Sequence, residues 1–172
     1  LLSPYISSKK RLYCLLNGLS YGILTYCHGM CLNGILTCLV ASVLLLISIV
    51  DYHFYRIPNR FNFYLFSLGI LYSIIEYRNW NEHVAGMFYV SSFLCILFLV
   101  SQGRFMGGGD VKMMASCGLI VGKELIFAGF YIGCVAAVLH YLFRIARGKK
   151  EGKIAMGPYL SIGVFITLLG GM

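Results

Sequence analysis

Apolar runs occupy almost the whole sequence, and the polar stretches that separate them are about ten residues or shorter. Stretches that short leave no room for a soluble domain, so the chain has to place its apolar runs in a bilayer. The bulk figures agree: 59% of the residues are hydrophobic, 12% are charged, and the mean hydropathy is +0.81. This is the composition of an integral membrane protein, and a single membrane domain over residues 1–172 is expected. A net charge of +8 would point to nucleic acid in a soluble protein. Here the basic residues flank apolar segments, as topology determinants do, and no nucleic-acid partner is expected.

The expected fold is an all-α polytopic helix bundle built from seven hydrophobic segments, at about 12–28, 31–50, 61–75, 84–101, 111–121, 125–143 and 154–171. A helix rises about 1.5 Å per residue and the hydrocarbon core is about 30 Å thick. Residues 31–50 therefore span, whereas residues 111–121 reach only half way. The fifth segment is expected to be partial, re-entrant or shielded inside the bundle. Lys9-Lys10-Arg11 before residues 12–28 suits a signal peptide, but no small-residue cleavage site and soluble domain follow, so a retained helix is expected. The first residue is Leu1 rather than methionine, which suggests a start that is processed, trimmed or partial.

Loop charges test the segment division independently, because cytoplasmic loops collect lysine and arginine. With a cytoplasmic N-terminus, one side receives Lys9, Lys10, Arg11, Arg56, Arg60, Arg104, Lys112, Arg144, Arg147, Lys149, Lys150 and Lys153, and the other only Arg78 and Lys123. The same orientation puts Asp51 and Asp110 on the cytoplasmic side.

Other features have ordinary membrane explanations. The seven cysteines, at 14, 27, 31, 38, 95, 117 and 134, contain no Cys-x-x-Cys pair and read as small buried hydrophobes, so no metal is assigned. Gly129, Gly133 and Ala137, and likewise Gly118 and Gly122, recur at four-residue spacing and suit close helix packing. Tyr52, Phe54, Tyr55, Phe61 and Phe63, with Tyr77 and Trp80 at the opposite surface, suit interfacial anchors.

Two acids fall outside these explanations. Asp51 ends the apolar run 31–50 and is followed by Arg56-Ile57-Pro58-Asn59; Asp110 follows Gly107-Gly108-Gly109 between two apolar segments. Either alone could be a solvated acid near the headgroups, but an intramembrane carboxylate is costly and marks a site. Three glycines open backbone angles closed to other residues and let main chain, side chain and an extended peptide come close together. Two carboxylates held together cannot both ionise easily, so one keeps a proton, and the pair can serve as base and acid on a peptide bond.

The residues then reach a family. Asp51 with Ile57-Pro58-Asn59, then Gly107-Gly108-Gly109-Asp110-Val111-Lys112-Met113-Met114, then Met156-Gly157-Pro158-Tyr159-Leu160 resemble, in order, the motifs of type IV prepilin peptidases, membrane aspartic proteases of the Gly-x-Gly-Asp class. The resemblance runs over residues 31–171. It implies Asp51 and Asp110 as catalytic acids, an active-site loop of Gly107, Gly108, Gly109 and Lys112, and a structural motif of Pro58, Asn59, Gly157 and Pro158. It also implies cleavage of the basic leader of prepilin or pseudopilin-like substrates at the cytoplasmic face of a bacterial inner membrane, with no cofactor. Pro4, Ser7 and residues 12–18 look like the segment that follows a cytosolic, cysteine-containing domain in bifunctional members. That domain is not in this sequence, and methyl transfer is not expected of it. Ala155 stands where many members carry a further proline.

Read from the residues, one ionised aspartate takes a proton from water, the water attacks the carbonyl, and the protonated partner donates to the oxygen and then the amine. Lys112 either lowers the pKa of Asp110, or binds substrate, or only sets topology. His28, His53, His83 and His140 are scattered, and His53 is expected to be interfacial. A small proton-coupled transporter and a noncatalytic assembly subunit remain as alternatives. A phosphate cradle does not fit, because Val111-Lys112-Met113 lacks the Gly-Lys-Ser/Thr that a P-loop requires.

Overall fold

The computed structural model describes residues 3–29, 31–103, 106–148 and 154–170. These residues form six α-helices: α1 (Ser3–His28), α2 (Leu32–Phe54), α3 (Asn59–Ile75), α4 (Trp80–Val100), α5 (Gly108–Ala146) and α6 (Gly157–Gly170), with a single 3₁₀ turn at Tyr77–Asn79. No strand occurs among the described residues, as the bilayer demands of a chain whose backbone groups must be satisfied within each segment. Three helices, α2, α4 and α5, are long and apolar enough to cross a membrane, and α6 is a shorter apolar helix. The architecture is a helical membrane bundle.

The seven expected segments become six helices because the fifth and sixth form one element. Gly122 interrupts α5 with φ 80° and ψ 175°, a conformation essentially closed to residues with a side chain. A straight helix of that length would run about 58 Å, well beyond the hydrocarbon core. Instead α5 doubles back: Gly109 near its start is bonded to α3, while His140 near its end meets Tyr159 in the first turn of α6, at the same end of the bundle. The residues of the expected half-span are shielded, with Met113, Met114 and Cys117 fully buried.

Small residues let the helices cross closely. A Cβ on Gly86 would lie 2.5 Å from the Gly118 carbonyl oxygen, and one on Gly133 would lie 3.0 Å from the backbone of Leu160. Helix α5 thus packs most extensively on α4 and α6, and also on α3, while α2 packs on α6, α1 and α3. Leu44, Ile47, Leu65, Leu94, Met113, Met114, Ile120 and Leu160 fill the core between them.

The apolar run that was expected to stop before Asp51 continues as helix for one more turn. Helix α2 ends where Tyr55 takes a left-handed conformation (φ 51°, ψ 34°) and its N–H closes on Asp51 O at 2.8 Å. Pro58, in extended conformation, then opens α3. Tyr52, Phe54, Tyr55 and Phe63 are exposed around this turn and Trp80 is exposed at the other end, where interfacial anchors belong. Of the basic residues counted above, Arg104, Lys149, Lys150 and Lys153 lie outside the described residues, as do Leu1 and the last residue of the seventh expected segment. The side chains of Pro4, Ser7, Lys9, Lys10 and Tyr77 lie outside the description as well.

Candidate active site

At one end of the bundle, the C-terminus of α2 meets the N-termini of α3, α5 and α6 around a cavity of about 780 Å³. Asp51 and Asp110 both line it. The two acids expected from the sequence are therefore brought together, although they stand on different helices. Both are buried, with 6% and 7% of their surface exposed.

Each carboxylate is held by a backbone N–H at a helix start. Gly157, the first residue of α6, donates to Asp51 Oδ2 at 2.9 Å. Gly107, the residue that caps α5, donates to Asp110 Oδ2 at 3.2 Å. Helix N-termini carry positive partial charge and unsatisfied N–H groups, so each of these bonds offsets part of the cost of burying an acid, although Asp51 also stands in the last turn of α2, where the helix dipole opposes negative charge. A purely structural account would stop there, with two helix-capping acids. It leaves Asp110 Oδ1 unexplained: that oxygen is buried and has no hydrogen-bond partner among the described residues. A buried acceptor left unmade costs about 1–3 kcal/mol, a penalty that calls for an explanation such as a catalytic role or a bound water.

The glycine run works differently from the sequence expectation. Gly107 is extended at φ −80°, ψ 144°, Gly108 and Gly109 are helical, and none of the three has a positive φ. The requirement is for space, not for unusual angles. A Cβ on Gly109 would lie 2.9 Å from Ile57 Cβ, so the glycine lets the first turn of α5 press against the α2–α3 turn. Gly157 serves the same end: its added Cβ would lie 2.8 Å from Asp51 Oδ2.

Lys112 lines the cavity, but its Nζ donates to Asn59 Oδ1 at 3.1 Å rather than to Asp110. The Ile57-Pro58-Asn59 and Gly-Gly-Gly-Asp motifs are joined by that bond. Pro58 also lines the acid cavity, whereas Pro158 lines a separate apolar cavity between α1, α2 and α6. None of the four histidines lines the acid cavity. His53 stands edge-on to Tyr52 beside the apolar cavity, His28 meets Leu168 O, and His83 lies at the far end against Leu119 O and Glu76. No group of three or more His, Cys, Asp or Glu able to hold a metal occurs among the described residues.

Sequence reasoning missed Asn62. It is buried in the first turn of α3 and donates to Gly109 O at 3.2 Å. The available signal was an amide one turn beyond Asn59, on the face of α3 that carries Leu65 and Gly69 into the core.

Two buried carboxylates from separate helices, opening on one cavity at the end of a membrane bundle, define a membrane protein with a paired-acid site. The sequence model of the type IV leader peptidase family matches residues 38–142, a stretch that contains both acids. The chain belongs to the type IV leader peptidase family. It is 26% identical over 133 residues to the prepilin leader peptidase/N-methyltransferase of Bacillus subtilis (strain 168), covering 76% of this chain and 53% of that protein. It is 25% identical over 134 residues to the prepilin leader peptidase/N-methyltransferase of Vibrio cholerae serotype O1, covering 73% and 51%. The chain thus spans about half the length of these curated relatives. No solved structure matches it.

Proposed function

We propose that the chain is a membrane aspartic endopeptidase that removes the basic leader of prepilin or pseudopilin-like precursors at the cytoplasmic face of a bacterial inner membrane. Asp51 and Asp110 are its catalytic acids, and no metal or cofactor takes part. The observation that carries this reading is the shared cavity: two buried acids, with Asp110 Oδ1 lacking a hydrogen-bond partner among the described residues. Membership of the family and the names of the two relatives support the substrate class.

In this mechanism the two carboxylates hold one proton between them, because both ionised in one buried site would repel. The ionised member takes a proton from water as the water attacks the scissile carbonyl carbon. The protonated member donates to the carbonyl oxygen; on collapse the first acid passes the proton it took from water to the leaving amine, and the second regains its proton from the tetrahedral hydroxyl. The N–H groups of Gly157 and Gly107 fix one oxygen of each acid and leave the other outside those two bonds. Such positioning before reaction is itself a large part of catalysis.

The test is incubation of the chain in lipid nanodiscs with a prepilin, with leader removal read by mass spectrometry. Cleavage at a single bond after the basic leader is the expected result. Proton-coupled flux in vesicles with no cleavage would instead support a transporter.

A further inference from the structure

Helix α3 buries one amide: Asn62 is 4% exposed. Its Nδ2 crosses to α5 and donates to the carbonyl of Gly109, the residue immediately before Asp110. Its Oδ1 is buried and has no partner among the described residues. An amide placed only to satisfy its own polar atoms would have both partnered, and an apolar residue of the same shape would fill the space without leaving an acceptor unmade. The position of the bond accounts for the amide. Gly109 lies in the first turn of α5, where the chain leaves the extended Gly107 and where the direction of the Asp110 side chain is set.

Asn62 is the inner of three ties between the start of α3 and the start of α5. Ile57 packs against Gly109, Asn59 accepts from Lys112 at the exposed rim, and Asn62 holds the Gly109 carbonyl from the buried side. Asp51 is fixed separately, by Gly157 on α6. The relative placement of the two acids therefore depends on two independent anchors, and Asn62 supplies the buried polar one for Asp110.

We infer that Asn62 is a positioning residue for peptide cleavage: by holding the Gly109 carbonyl it sets the first turn of α5 and aims Asp110 at the partner acid. It does not touch the reacting atoms. The inference rests on the proposed aspartic peptidase activity for its kinetic part and on the geometry alone for its structural part.

Two variants of the full chain in nanodiscs test it. Asn62→Leu removes the donor and supplies an apolar side chain of similar size, and Asn62→Asp keeps the shape but, assayed at a pH where that carboxyl is ionised, turns an acceptor toward Gly109 O. With a synthetic prepilin leader peptide as substrate, both should lower kcat by about tenfold or more with KM within about twofold, since misplacing a catalytic group costs rate rather than binding. Both should also speed amide hydrogen exchange in the segment 107–114, measured without substrate. Asn62→Leu should insert and accumulate as the parent does; should it fail to, Asn62→Asp alone decides. A kcat within twofold of the parent, a loss confined to KM, or unchanged exchange in 107–114 overturns the inference. Failure of the parent chain to cleave any leader refutes the proposed activity instead, and the exchange measurement still decides the structural part.

Discussion

The backbone N–H of Gly157 donates to Asp51 Oδ2 at 2.9 Å across 106 residues of sequence, and so pins the start of α6 to the end of α2. The approach leaves no room for a side chain at 157, where a Cβ would lie 2.8 Å from the carboxylate oxygen. Gly157→Ala should therefore displace Asp51 without unfolding the bundle, because the nearest contacts are all with that one side chain: Oδ2 must move, and Cγ and Cβ, each 3.1 Å from the added carbon, must give by a few tenths of an ångström. A displacement near 1 Å can cost about a hundredfold in rate. Leader cleavage by Gly157→Ala should fall by about that order while the protein inserts normally, as shown by cleavage rate and membrane accumulation. Parent-like activity would mean that Asp51 does not need its present position.

At Gly122 the backbone alone matters. Its added Cβ would meet nothing closer than Glu82 O at 3.9 Å, yet its φ is 80°. Gly122→Ala should lower stability by about 1–3 kcal/mol through backbone strain. Gly86→Ala should cost more, because its Cβ would fall 2.5–2.8 Å from backbone atoms of α5. Thermal unfolding in detergent ranks the two, and an order reversed from this one would contradict the reading of the α4–α5 crossing.

Much of the candidate site was legible in advance because its two acids are costly residues beside apolar runs. Asp51 and Asp110 stood out as acids beside apolar runs, and the charge partition placed them at one end before any contact was known. Their cavity in the structure joins them as the motif order implied. The glycine run was legible as a place of close approach but not in its cause, since the neighbour that demands it, Ile57, is distant in sequence. Asn62 was missed for the same reason: its partner is a backbone carbonyl 47 residues away, which no periodicity reveals. The division at 121 and 125 was visible in hydropathy, whereas the joining of both halves into one element through Gly122 depends on a single φ/ψ choice.

Lys112 offers a test of how far local charge reaches. Its ammonium bonds Asn59 at an exposed rim, so Lys112→Met should leave the acid limb of the pH–rate profile where it is. An exposed bond of this kind is worth at most about 1 kcal/mol, and cleavage should stay within about fivefold of the parent. Movement of the acid limb would return Lys112 to a role in setting the acidity of Asp110.

The proposed orientation rests on the partition of basic residues. In a background with its own cysteines replaced, a cysteine at Arg147 should react with a membrane-impermeant thiol reagent only from the cytoplasmic side, and one at Arg78 only from outside. Labelling of Arg147→Cys in intact cells would reverse the topology and with it the side on which leaders are cut.

The central claim is that Asp51 and Asp110 act together on a peptide bond, and substitution by asparagine tests it most directly. Asparagine keeps the shape, and its Oδ1 can still accept from Gly157 or Gly107, so each variant should fold and accumulate in the bilayer. What it loses is the capacity to exchange a proton with water or substrate. Cleavage of a prepilin leader by Asp51→Asn and by Asp110→Asn should each drop to background, and the double variant should be no worse than either, because members of one catalytic unit do not act additively. Near-normal cleavage by either single variant, correctly inserted, would contradict the paired-acid mechanism.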